Sequence, residues 1–235
     1  MTDSLLVATG KGRGEETSSL SLAESGTALS MLRLPEIRCP RIPSWDGVSL
    51  DALRGGWSDT TRLYLCENNS GQRPQWGTEV RIGWEEKAIL ILFLCQDPKP
   101  WATMTERDQP LWEEEVVEVF LDPFGDRTCY FEFEVNPLNT VVDVFIRRIR
   151  SGLRKDFSWD CDGLVTATGR LPYGWVAALQ IPFLALGDCQ PVGTWRANFC
   201  RIERPENQPR ELSSWSPTYT GSFQVPERFG LLHFE

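Results

Sequence analysis

An all-β fold, an antiparallel β-sandwich with at most short helical turns, is what this sequence predicts, on three observations. Short runs rich in Val, Ile, Phe, Tyr, Trp and Thr recur along most of the chain, and these side chains suit a pleated, half-buried surface. Pro, Gly, Asn and Asp punctuate the runs, as in GWEEKA (83–88), DPFGDR (122–127) and NPLN (136–139), which mark turns. No segment sustains the 3.6-residue apolar period of an amphipathic helix. Many short strands without interleaved helices pack most simply as two antiparallel sheets.

Taken in chain order, residues 8 to about 30 are rich in Ser, Thr, Gly and Glu. They bury too little apolar surface to order themselves, so residues 1–34 read as a flexible N-terminal extension and 35–235 as one sandwich domain. The expected strands are Arg62–Glu67, Thr78–Trp84, Ala88–Cys95, Val116–Leu121, Tyr130–Asn136, Val141–Arg147, Leu164–Arg170, Trp175–Ile181, Trp195–Glu203 and Phe229–Phe234. One or two helical turns are expected near Pro182–Leu186. Ala88–Cys95 is apolar on both faces, as a central covered strand should be. Elsewhere the strands alternate. Phe131, Phe133 and Val135 share one face, while Tyr130, Glu132, Glu134 and Asn136 share the other, and Val117, Val119 and Leu121 oppose Val116, Glu118 and Phe120. One face is expected to be core and the other to carry carboxylates and amides.

Composition closes off several chemistries. The 235 residues carry 24 Lys+Arg against 33 Asp+Glu, a net charge of −9, which disfavours nucleic acid and anionic membrane as partners. The single His, His233, excludes sites that need two imidazoles, and it lies in an apolar strand pattern at the C-terminus. Seven Cys form no CxxC pair, and several sit in apolar runs, as buried thiols do. The N-terminus lacks a basic segment followed by a long apolar core, so a cytoplasmic setting is favoured, with an extracellular one still open. The longest apolar run, AILILFLC, is far short of a membrane span.

Chemistry concentrates in Asp108–Phe120, where a Trp follows a Pro-containing loop and acidic residues lead into a strand bearing Glu118. A sugar ring offers C–H groups on its face and hydroxyls at its edge. An aromatic plate packs on the first, and carboxylates or amides accept from the second. Trp112 beside Glu118 supplies both. The plainer alternative has Trp112 capping the core and Glu113–Glu115 solvated. Trp57, Trp84, Trp175, Trp195 and Trp215 sit in strand patterns and are expected in the core or at its edge. Asp122 and Asp143 are expected to bond backbone.

The run DQPLWEEEVVEVFLDPFGDRTCYFEFEVNPLNTVVDVFI (108–146) resembles the family 9 carbohydrate-binding modules, which are attached to bacterial xylanases and related enzymes of polysaccharide breakdown. The likeness begins at Trp45-Asp46-Gly47 with Asp51 and Trp57. It continues through Glu79–Trp84 and Gly174–Pro182, and ends with Ser214-Trp215-Ser216 and Phe223–Gly230. The resemblance implies a β-sandwich that binds a mono- or oligosaccharide without catalysis, a sugar ring (typically a chain's reducing end) lying between two aromatic plates. Trp112 matches the first plate, Phe223 stands where the family's second Trp does, and Glu118 matches a ligand-contacting Glu. Glu134 and Cys200 fall where an Arg and a Gln are found. Arg201, Asn198 and Asn136 are candidates for the missing donors. A glycoside hydrolase is the partner protein implied. The family also carries structural calcium, and Asp97 in Gln96-Asp97-Pro98 resembles part of that region, without a clustered ligand loop.

Three rival readings stand beside this one. A glycosidase would use two of Glu118, Glu132 and Glu134, which are alternatively solvated or paired with Arg147 or Arg201. A haem sandwich would need axial ligands from His233, Met31 or Met104. A structural or protein-interaction sandwich would keep the fold and have lost the sugar.

Overall fold

The computed structural model describes residues 33–43 and 57–235. The expected N-terminal extension lies outside these residues save its last two, as do Trp45-Asp46-Gly47 and Asp51. Residues 34–235 form one unit. Its strands are β1 (Glu36–Cys39), β2 (Thr61–Tyr64), β3 (Cys66–Glu67), β4 (Thr78–Trp84), β5 (Ala88–Gln96), β6 (Val116–Asp122) and β7 (Cys129–Val135). They continue as β8 (Val141–Ile149), β9 (Gly152–Asp156), β10 (Val165–Leu171), β11 (Gly174–Pro182), β12 (Thr194–Glu203), β13 (Glu211–Ser214) and β14 (Gly230–Phe234). The helical turn expected near Pro182–Leu186 is one turn of 3-10 helix, Phe183–Leu186.

Among the described residues the strands form two sheets. The smaller runs β10-β11-β5-β4-β2, and the larger runs β1-β14-β12-β6-β7-β8-β9, with β13 and β3 branching from β12. All pairings are antiparallel except β1 with β14. The all-β sandwich expected from sequence is the observed fold. Its inter-sheet core joins Val80, Ile82, Ile91 and Phe93 of the small sheet to Val117, Val119, Phe133 and Phe199 of the large one. Trp57, Trp175, Trp195 and Trp215 are buried and Trp84 is partly so. Asp122 accepts from the Gly125 and Arg127 N–H groups, and Asp143 from that of Cys161.

The structure departs from the alternation in one respect that matters for function. The outer face of the large sheet is not solvated. Every residue of β6 is buried, and Val116, Phe120, Tyr130, Val142, Val144 and Ile146 pack under Leu111, Leu212, Phe223 and Phe229. Loop side chains roof this face, so its carboxylates are enclosed. Three strands were not expected, β1, β9 and β13. Gly152–Asp156 is largely exposed and lacks alternation, and Glu211–Ser214 is only four residues.

Candidate functional site

Strand pairing brings the carboxylates together. In the antiparallel register Glu118 of β6 stands opposite Glu134 of β7 and opposite Cys200 of β12. Glu132, two residues before Glu134, lies on the same face. Oxygens of Glu118, Glu132 and Glu134 come within 4.8 Å of one another, and all three residues are buried. β9 then adds a cation, as Lys155 Nζ lies 3.0 Å from Glu132 Oε2. Gln224 Nε2 donates to Glu132 Oε1 at 2.6 Å, and Tyr130 Oη donates to Gln224 Oε1 at 2.6 Å. Glu134 Oε2 has no partner.

These groups line a cleft of about 200 Å³, walled by Trp112, Phe223, Leu212, Gln224 and Arg210. Trp112 sits in a single 3-10 turn, Leu111–Glu113, after Pro110. Its ring lies 6.0 Å from that of Phe157, and Lys155 Nζ lies 5.7 Å from its centroid. Phe223 is 6% exposed and packs on Phe120. Trp112, Phe223, Glu118 and Glu134 are therefore brought to one cleft.

Burial, then the Glu132 charge, pushes the Glu118 carboxyl well above its ordinary range. Burial, then the Glu118 and Glu132 charges, does the same at Glu134. Glu132 is raised less, since Lys155 opposes its burial. Buried carboxylates without enough cations hold protons.

The other sequence candidates lie elsewhere. Arg201 pairs in register with Val117, on the inner face of the large sheet. Its Nη1 donates to Gln96 O at 2.9 Å and to Thr78 Oγ1 at 3.2 Å, so it spans the sheets rather than reaching the cleft. Asn136 is a turn residue: its Oδ1 accepts from Leu138 N and Thr140 N, and its Nδ2 donates to Met104 O. Asn198 bonds Ser216 on both its amide atoms. Of the residues expected to be solvated, Glu113 is exposed but Glu114 and Glu115 are buried. Glu114 accepts from Thr103 and Met104 and ties the preceding loop to the turn of Trp112. Lys155, Arg210 and Gln224 were missed from sequence. They come from a strand without alternation and from loops, where no periodic signal marks a facing side chain.

Asp97 belongs to a second acidic group. Oxygens of Asp97, Glu115 and Glu203 also lie within 4.8 Å of one another, all buried. Asp97 Oδ1 accepts from Lys99 N and Glu115 Oε2 from Trp101 N, while Asp97 Oδ2 and Glu115 Oε1 have no hydrogen-bond partner. Arg201 Nη2 contacts Glu203 Oε2 and stands 3.5 Å from Asp97 Oδ2. Burial, then the Glu203 charge, pushes Glu115 up to about 9. Three carboxylates against one guanidinium leave a formal charge of −2, and the orphaned atoms are hard oxygens. These residues fit a calcium ion.

Fold and cleft together define a β-sandwich with a ring-sized, aromatic-walled cleft on the outer face of its larger sheet. A model of carbohydrate-binding family 9 matches residues 64–234, and the chain belongs to that family, whose modules bind carbohydrate without catalysis. A relative from Arthroderma benhamiae, named an extracellular protein, is 25% identical over 179 residues, covering 69% of this chain and 81% of its own. The fold is also that of a proposed carbohydrate-binding protein from Bacteroides uniformis (TM-score 0.69, 19% identity, 85% of this chain and 99% of that one). A family 9 module from Caldicellulosiruptor kristjanssonii is similar as well. That structure, in complex with cellotriose, matches at TM-score 0.64 (18% identity, 86% and 94% covered), and a family 9 module from the same organism in complex with glucose matches at 0.62 (20% identity, 86% and 96% covered).

Proposed function

We propose that this chain binds a sugar at the end or edge of a mono- or oligosaccharide in the Trp112 cleft. The ring face rests on Trp112, with Phe223 as the second aromatic wall, and Glu118 and Glu134 meet the ring's hydroxyls. The observation that carries this reading is the coincidence of Trp112 with Glu118 and Glu134 in one ring-sized cleft. Solved family 9 relatives holding glucose and cellotriose support it. Asp97, Glu115 and Glu203 would hold the structural calcium, which would neutralise their excess charge and fix the Trp101 loop. A glycoside hydrolase acting alongside would supply any bond cleavage. The carboxylates themselves crowd one wall within 4.8 Å, whereas hydrolysis asks for two that flank a bond roughly 5–9.5 Å apart.

Isothermal titration with glucose, cellobiose, cellotriose and xylobiose tests the reading. At least one should bind, and Trp112→Ala should weaken it roughly tenfold or more, as loss of a central aromatic contact does. Silence across the panel, or a Trp112→Ala protein that binds as well as the parent, would favour the interaction sandwich.

A further inference from the structure

We propose that the cleft selects a sugar carrying a free amine, a hexosamine whose ammonium group seats against Glu134 and Glu118. This rests on the sugar-binding reading and narrows it to a ligand class. Lys155 shows what this wall already binds. Its Nζ lies 3.0 Å from Glu132 Oε2 and 5.7 Å from the Trp112 ring centroid, so one ammonium is held between a carboxylate and an indole face. The neighbouring carboxylate, Glu134, feels the Lys155 charge and the Trp112 backbone N–H, and it has no side-chain cation bonded to it. Glu134 is 1% exposed and lines the cleft, and its Oε2 has no partner. Glu118 stands directly opposite it in register.

The wall is rich in acceptors and short of donors. The donors of Lys155 and Gln224 that reach it go to Glu132, Glu134 has the Trp112 backbone N–H alone, and Arg210 lies exposed at the rim. A neutral hydroxyl brings one donor and no charge. An ammonium brings three donors and the charge that a buried carboxylate pair lacks. The cleft has room for a single ring, so an amine at the ring edge meets these carboxylates while the ring face stays on Trp112.

Proton bookkeeping gives a signature. Two adjacent enclosed carboxyls cannot both ionise without a cation, so Glu118 and Glu134 retain a proton between them. The seated ammonium lets both ionise, and the proton leaves to solvent. Groups facing them keep their states: Glu132 stays paired with Lys155, and the Cys200 thiol and Tyr130 phenol, both raised by burial, stay protonated, while Arg210 stands at the rim.

Titration of the full chain at pH 7 with glucosamine, glucose and N-acetylglucosamine, in two buffers of different ionisation heat, tests this. Glucosamine should bind roughly tenfold or more tighter than the other two, the gain expected of a charge-assisted hydrogen bond. Only its binding should release up to one proton, and the preference should shrink as pH falls toward 5. Glu134→Gln should bring the glucosamine-to-glucose ratio near one. Glu118→Gln and the parent's own pH series report the same ratio should that variant fold poorly. Equal affinities for glucosamine and glucose would overturn the amine preference and leave sugar binding standing, whereas no binding of any sugar would overturn both. Methylammonium binding as tightly as glucosamine would show a plain cation hole and overturn the proposal, and so would calcium occupying the cleft in competition with glucosamine.

Discussion

Two buried acidic triads lie within one strand's reach of each other, and they differ in where their countercharge comes from. Glu115 leads into β6 on the inner side and joins Asp97 and Glu203 between the sheets, where the 1%-exposed Arg201 guanidinium is built into the group. Glu118, three residues on, points outward and joins Glu132 and Glu134 under the Trp112 cleft, where the countercharge is Lys155, 32% exposed on edge strand β9. Strand parity alone separates them. The inner triad is enclosed by fixed side chains and suits a small ion. The outer one opens on a cleft and suits an exchangeable ligand. Enclosed charge supports structure, and charge at an opening supports recognition.

Breaking the inner group should have the largest effect. Arg201→Met leaves buried carboxylates without their guanidinium, which costs about 3–5 kcal/mol when one partner of a buried pair is removed. A denaturant melt with the slope unchanged and the midpoint sharply lowered is the expected record. A melt like that of the parent would mean the guanidinium contributes nothing there.

Next comes calcium. If it binds the folded chain and not the unfolded one, calcium at a hundred times its Kd should raise stability by about 2.7 kcal/mol, and a chelator should reverse the rise. Asp97→Asn should remove most of it, while Glu134→Gln should not, if the ion takes the inner triad as proposed. Arg201→Met should bind calcium more tightly, since the cage then carries three uncompensated charges. A calcium response lost in Glu134→Gln and kept in Asp97→Asn would reverse the assignment of the two triads.

The outer triad should declare itself through pH. The Glu134 carboxyl is raised in the folded chain by burial and by Glu118 and Glu132, against about 4.3 unfolded. Between those two values the folded state keeps a proton that the unfolded state has released, so this group's contribution is full below about pH 4 and is lost as pH rises through its folded pKa. Glu134→Gln abolishes that loss. The melting temperature of the variant should gain on the parent steadily from pH 5 to pH 8, and a gap independent of pH would mean that the residue is not held protonated.

Much of this comparison was legible in the sequence, because period-two alternation is a geometric necessity in a strand. It placed Glu118 and Glu134 on one face with Tyr130 and Glu132, and the structure pairs them in register. The same rule carried a signal about Arg201, which alternates with Phe199, Ala197 and Trp195 and so belongs inside with them. Asn136 has the parity of Glu134, but its strand ends at Val135 and its side chain closes the turn to Thr140. What could not be read was the roof. Burial of the outer face depends on Leu111, Leu212, Phe223 and Phe229, which arrive from separate loops and short strands without a period. A face that reads as solvated is enclosed by segments far off in sequence.

The smallest effect should come from the outer countercharge, and its smallness is the point. Lys155 reaches Glu132 from an edge strand and keeps about a third of its surface in water, so solvent shares the work of stabilising the ammonium, though not the 2%-exposed Glu132 carboxylate. Once Lys155 is gone, Glu132, already raised by burial, takes up a proton instead of standing as an uncompensated buried charge, which holds the loss to about 1 kcal/mol. Lys155→Met should therefore shift a melt by no more than that, several times less than Arg201→Met. Its consequence should appear in binding. Without Lys155, Glu132 joins Glu134 in lacking a cation, so the affinity for glucosamine should rise relative to glucose. A destabilisation as large as that of Arg201→Met would show the outer group to be as closed as the inner one, and the division between a structural and a recognising triad would fall with it.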